Sequence, residues 1–238
     1  MADEKANTQT EQANTNSYDN DKNVPAWQGV IDDWAADKQV FNMSWGKLMM
    51  WLFLLSDTFV FSIFLTGYLN VRTSVTTAWP NSSEVFALTI AGHHIPLVLI
   101  AIMTFILITS SGTMAMAVNF AYQAQKQKAV KLMLLTALLG ATFVGMQAFE
   151  WTKLIVDEAV RPWGNPMGAA QFGASFFMIT GFHGLHVSAG VIYLLVIARK
   201  LARGDYDSKG FQIVEITGLY WHFVDLVWVF IFAFFYLW

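Results

Sequence analysis

The chain has 238 residues, 55% of them hydrophobic and 13% charged, with a formal net charge of −3 and no cysteine. Soluble domains carry about a quarter charged residues, so this is the composition of a polytopic membrane protein, and its slight acidity argues against a nucleic-acid partner. The lack of cysteine removes disulfides, thiolate metal sites and thioether-linked haem together.

In chain order, residues 1 to about 24 are polar and poor in aromatic side chains, the composition of a disordered tail. They lack the basic start and apolar centre of a cleavable signal. After Pro25, Trp27, Val30, Ile31 and Trp34 recur at helical spacing opposite Asp32, Asp33 and Asp37, which predicts a short interfacial helix over 26–38. An irregular, Trp-anchored approach to the membrane is the alternative. The tail region is therefore 1–40 and the membrane domain 41–238. Within the latter, five apolar runs reach spanning length, at about 48–69, 95–117, 130–155, 172–197 and 216–238. None alternates with the period of a barrel strand, so the predicted fold is all-α, a bundle of five transmembrane helices.

Basic residues set the expected orientation. One side would hold Lys5, Lys22, Lys38, Lys47, Lys126, Lys128, Lys131, Arg199, Lys200, Arg203 and Lys209, and the other Arg72, Lys153 and Arg161. The positive-inside rule then puts the N-terminus in the cytoplasm and the C-terminus outside.

Six acidic or histidine residues fall inside the runs: Asp57, Glu150, His183, His186, His222 and Asp225. Such groups are costly in a bilayer and face protein interior or water. At about 1.5 Å per residue, Asp57 lies about 14 Å along its run, His186 and His183 about 17 and 21 Å, and His222 and Asp225 about 9 and 14 Å, counted from the cytoplasmic side. These five fit one layer, whereas Glu150, at about 30 Å, belongs near the opposite surface. His183 with His186, and His222 with Asp225, are i, i+3 pairs, each on one helix face.

Three readings of the histidines stay open: polar contacts between helices, a lipid-headgroup or proton-network role, and ligation of a metal or haem. Asp57 reads equally as a hydrogen-bond donor to a neighbour or as a proton-network member. The hydroxyl-rich Thr109 to Thr113 stretch most simply means close packing. A di-iron carboxylate bundle wants Glu-x-x-His pairs, which are absent here, as are the G-x-S-x-G and Walker motifs. Gly181, Gly184 and Gly190 allow another helix or a lipid chain to approach the fourth run. Arg72, Arg161, Arg199 and Arg203, with His183 and His186, are the candidate lipid contacts, simple interface anchoring being the alternative for the arginines.

Two long stretches carry a family resemblance: Phe176-Phe177-Met178-Ile179-Thr180-Gly181-Phe182-His183-Gly184-Leu185-His186-Val187 and Trp221-His222-Phe223-Val224-Asp225-Leu226-Val227-Trp228. Gln147-Ala148-Phe149-Glu150-Trp151 and Phe53-Leu54-Leu55-Ser56-Asp57 support them. With these, roughly Trp45 to Trp238 resembles subunit III of the haem-copper terminal oxidases. The resemblance implies a non-catalytic subunit of an oxygen reductase in the bacterial cytoplasmic (inner) membrane. It would bind no metal or cofactor itself and would pack with subunit I, which holds haems and copper, with subunit II, and with a small subunit IV as an optional further partner. It also implies a phospholipid-filled cleft, support of proton uptake and protection from turnover inactivation. Asp57 occupies the place of the family's carbodiimide-reactive Glu, one methylene shorter. Longer members have seven helices, so this chain resembles the five-helix form of bacterial quinol oxidases and some cytochrome c oxidases. An accessory subunit of a nitric oxide reductase, or an independent transporter or metalloprotein, are the other classes to test.

Overall fold

The computed structural model describes residues 44–90, 93–206 and 210–237. The tail and the interfacial helix expected at 26–38 lie outside the described residues. Among the described residues, five helices are long and apolar enough to cross a membrane. They are α1 (Trp45–Ser74), α2 (Val98–Tyr122), α3 (Lys126–Val156), α4 (Ala170–Arg203) and α5 (Gln212–Phe232), and α5 ends in a wider π-helical turn, Ala233–Leu237. The helices outrun the apolar stretches because their polar ends continue the backbone ladder beyond the hydrocarbon layer. At the start of α1, the Ser44 side chain accepts a hydrogen bond from the Lys47 N–H at 3.4 Å, a serine cap. The second helix begins at Val98 rather than near residue 95, because Ile95 and Pro96 are paired in a strand. That strand, β2 (His93–Pro96), forms a small antiparallel hairpin with β1 (Ala87–Ile90).

Two connections are tight. Three residues, 123–125, join α2 to α3, and Gly204 closes α4 in the left-handed region at φ 92°, where a side chain would be strained. The α1–α2 and α3–α4 connections are longer and meet at the other end of the bundle, where the Ala169 N–H donates to the Ala78 carbonyl at 3.2 Å and Trp79 packs edge-on against Phe172.

Helices α2, α3, α4 and α5 pack in that order around a ring, each against its two neighbours. Trp221 of α5 fills the centre. Its ring lies so close to Gly140 of α3 that a Cβ there would overlap it, and it lies 3.0 Å from where a Cβ on Gly190 of α4 would stand. Its indole N–H donates to Ser110 Oγ of α2 at 2.9 Å. One fully buried side chain thus touches all the other helices of the ring. Trp228, two turns on, donates to Thr104 Oγ1 of α2 at 3.0 Å and meets Phe143 of α3 edge-on. Helix α1 leans on this ring through side chains: Phe53 against Tyr220, Phe61 and Phe64 against Phe182, Tyr68 against Phe235.

Candidate functional site

The expected layer of acids and imidazoles resolves into separate clusters. Residues three apart on a helix are offset by about 60° around its axis, and that offset sends the two histidines of α4 to different neighbours. His186 meets Asp57 of α1, with Nε2 3.1 Å from Oδ2. The approach is oblique, so the atoms are close without being lined up as a strong hydrogen bond. The other ring nitrogen, Nδ1, lies 2.8 Å from the Phe182 carbonyl. A carbonyl only accepts, so Nδ1 carries a hydrogen. Nε2 is left to face the Asp57 carboxyl, 3.1 Å away. Tyr220 donates to the His186 carbonyl at 3.0 Å, and Phe61 and Phe182 cover the ring.

His183 is fully buried and faces α5. Its Nε2 lies 3.2 Å from the Val224 carbonyl, which again fixes the tautomer as Nε2–H and leaves Nδ1 without a partner. Phe143 and Trp228 flank the ring. This geometry is a polar contact between helices, the plainest of the readings open from sequence. His183 and His186 therefore serve different helix contacts.

His222 and Asp225 of α5 do stay together, and α2 supplies the link. Ser111 Oγ is 2.6 Å from His222 Nδ1 and also faces the Asp225 carboxyl. Both Asp225 oxygens are buried without an aligned hydrogen bond. Glu150 of α3 stands apart, nearly fully buried, where the π-helical turn brings the Tyr236 hydroxyl to donate to Oε2 at 3.2 Å. Its Oε1 has no partner. Among the described residues no three His, Asp or Glu side chains converge as a metal-ligand set.

The arginines divide between the two ends. Arg72 is half-buried near the end of α1, with Nη1 3.5 Å from the Tyr68 hydroxyl, and Arg161 is exposed in the α3–α4 connection, its backbone paired with Gly164. Arg199 and Arg203 are exposed at the opposite end, in the last turns of α4. None of the four reaches the buried histidines.

Two apolar grooves flank the polar clusters. One, of about 340 Å³, runs between α1 and α5, past Phe61, Leu65, Phe223 and Phe230. Thr58, Ser62 and Thr66 also line it, but each hydroxyl donates to the carbonyl four residues back, so the wall presents methyl and methylene groups. The second, of about 400 Å³, lies between α3 and α4 over Gly181 and Gly184, with Gln147 and Trp151 as its other wall. Gln147 holds that wall by donating to the Thr180 carbonyl at 3.0 Å.

Sequence reasoning missed Trp221 as the central residue, since a tryptophan within an apolar run carries no mark of its place. It also missed Ser111 and Tyr236 as partners of the ionisable groups. The hydroxyl-rich stretch of α2 was the available signal: Ser110, Ser111 and Thr113 each bond a different helix or residue.

Comparison with known proteins agrees with this architecture. The family model described as cytochrome c oxidase subunit III matches residues 33–238. A Staphylococcus aureus protein named probable quinol oxidase subunit 3 is 33% identical over 187 residues, covering 79% of this chain and 86% of its own length. Its namesake in Staphylococcus saprophyticus is 30% identical over the same span of 187 residues. The match takes in all five helices and every one of the polar clusters, and the chain belongs to the cytochrome c oxidase subunit III family, as an integral membrane subunit of a haem-copper oxidase.

Proposed function

We propose that this chain is the haem-free and copper-free subunit of a proton-pumping oxygen reductase in a bacterial cytoplasmic membrane. It sits with its N-terminus in the cytoplasm and packs beside subunits I and II, with a small subunit IV as an optional neighbour. The relatives' name makes quinol the expected electron donor. The observation that carries the reading is the Asp57–His186 pair: two ionisable groups on different helices, 3.1 Å apart and largely buried in the bundle. A buried group that can give up or take back a proton suits the support of proton uptake that the family resemblance implies, and it needs no redox centre in this chain.

The α1–α5 groove supports the lipid part of the proposal. Its hydroxyls are turned onto their own helix, so an acyl chain meets a continuous hydrocarbon wall. Arg72 and Arg161 at one end, and Arg199 and Arg203 at the other, stand at the levels where headgroups would be.

Purification from native membranes through a tag on the N-terminal segment, with mass spectrometry and a visible spectrum, tests the assignment. The expected result is a large haem-bearing subunit in the preparation, with a second subunit lacking a copper centre. A copper-bearing second subunit would change the donor to cytochrome c. Recovery of this chain alone, or with pigment of its own, would refute the auxiliary role.

A further inference from the structure

The groove between α3 and α4 contains a polar atom that no part of the lipid reading uses. Gln147 of α3 is only 5% exposed, yet it borders the groove. Its Nε2 lies 3.0 Å from the Thr180 carbonyl. A carbonyl only accepts, so the NH2 end of the amide is fixed there and Oε1 is the open end. Oε1 stands beside Gly184, 3.1 Å from where a Cβ on that residue would lie. Among the described residues no donor meets it. The neighbours have none to offer. Ser188 has turned its hydroxyl onto the Gly184 carbonyl at 2.7 Å, and Trp151 Nε1, one turn further along α3, is covered. Val144, Ala148 and Leu185 complete the lining without a polar side-chain atom.

A carbonyl oxygen in hydrocarbon without a donor bears the cost of an unmade hydrogen bond, so the occupant of this recess has an O–H or N–H to give. Depth narrows the choice. Gln147 lies eight residues before Ile155, the end of the third apolar run, which puts it about 12 Å below the surface. At that level a phospholipid has only methylene groups, and its ester oxygens nearer the surface only accept. Size narrows it further. The lining residues fall within 144–151 of α3 and 181–188 of α4, about 10 Å along each axis, against about 30 Å for a docked spanning helix. The volume of about 400 Å³ falls in the range of small-molecule sites, about 300 to 1,000 Å³. A hydroxylated ring on an apolar tail meets all three conditions.

We propose that this groove binds the reduced, hydroxyl-bearing form of a membrane quinone, with one phenolic O–H donating to Gln147 Oε1 and the ring packed against Val144 and Leu185. The inference rests on the quinol-oxidase reading above. The oxidised form has carbonyls that only accept, and it would set acceptor against acceptor at Gln147, so the groove distinguishes quinol from quinone. Binding alone is assigned to it, with no electron transfer.

Photolabelling of the whole purified complex in lipid nanodiscs, under nitrogen, tests the site. The probe is an alkyl hydroquinone bearing a diazirine, and the same compound as its quinone and as its dimethyl ether serves for comparison. The hydroquinone should label residues within 144–151 or 181–188. The two forms without a hydroxyl should label them about fivefold less, the effect of one neutral hydrogen bond. Gln147→Leu should bring the hydroquinone down to their level. Equal labelling of the wild type by all three forms overturns the proposal, and that comparison does not depend on the variant folding. Labelling confined to other segments or other subunits overturns it too, whether lipid or a neighbouring subunit's helix then fills the groove. Oxygen uptake by the same preparation, once air is admitted, reports separately on the reading beneath it. Uptake driven by quinol with an unlabelled groove refutes this inference alone, whereas no uptake with either quinol or cytochrome c refutes the oxidase-subunit reading.

Discussion

Replacing Asp57 tests whether it meets His186 as a hydrogen-bond donor or as a charge. Because His186 Nδ1 is committed to the Phe182 carbonyl, a neutral ring presents Nε2 as an acceptor, and its partner must be a donor. Asp57→Asn supplies one: an amide N–H replaces the carboxylic O–H at the same reach, with no charge and nearly the same volume. The expected cost is under about 1 kcal/mol, because the oblique 3.1 Å contact gives the amide a weak bond to reproduce. Asp57→Ala leaves a mostly buried Nε2 without a partner and opens space beside Phe61, for an expected loss of about 1 to 3 kcal/mol. Titration with sodium dodecyl sulfate in mixed micelles, followed by tryptophan fluorescence, gives the order of midpoints: wild type and D57N close together, D57A clearly lower. Carbodiimide labelling of the wild type at this position should vanish in D57N. If D57N is as unstable as D57A, the native pair depends on an ion pair and the reasoning from the fixed tautomer is wrong. Undiminished labelling in D57N would remove Asp57 as the reactive carboxyl.

The packing around Trp221 makes further tests. Gly140→Ala forces a methyl into the indole and should cost about 1 to 3 kcal/mol in the same titration, while Gly112→Ala, which meets open space within the chain, should leave the isolated subunit's midpoint unchanged. Ser110→Ala removes the acceptor for a buried indole N–H and should lower the midpoint by about 1 to 3 kcal/mol. Tyr236→Phe strips Glu150 of its hydroxyl donor, with a comparable loss expected.

Helix number and type were legible because a run of about 20 apolar residues has few other ways to satisfy its backbone in lipid. The helix ends were less so, since polar residues continue a helix past the hydrocarbon layer without any change of period; α4, for instance, runs to Arg203. The second apolar run starts at residue 95 in the sequence because the hairpin that takes up Ile95 and Pro96 depends on pairing that apolar periodicity does not encode. At the sites, depth along each run brought Asp57 and His186 to one level, and the structure joins them. Depth did not say which face a residue takes. His183 and His186 are one turn apart and equally polar, and only the placement of α1 and α5 around α4 distinguishes them. Glu150 was correctly set apart by depth, but its partner comes from a widened last turn that no sequence pattern announced.

The position of Trp221 has a consequence for biosynthesis. Membrane helices leave the ribosome in order, and α5 is the last of the five. Until it arrives, the ring of α2, α3 and α4 has a slot bordered by Gly140 and Gly190, with the Ser110 hydroxyl directed toward it and nothing to occupy it. A nascent chain that has made only α2, α3 and α4 therefore leaves that slot unfilled. Chains stopped after Arg203 should accordingly stay open to membrane proteases, whereas chains carrying α5 become resistant as one unit.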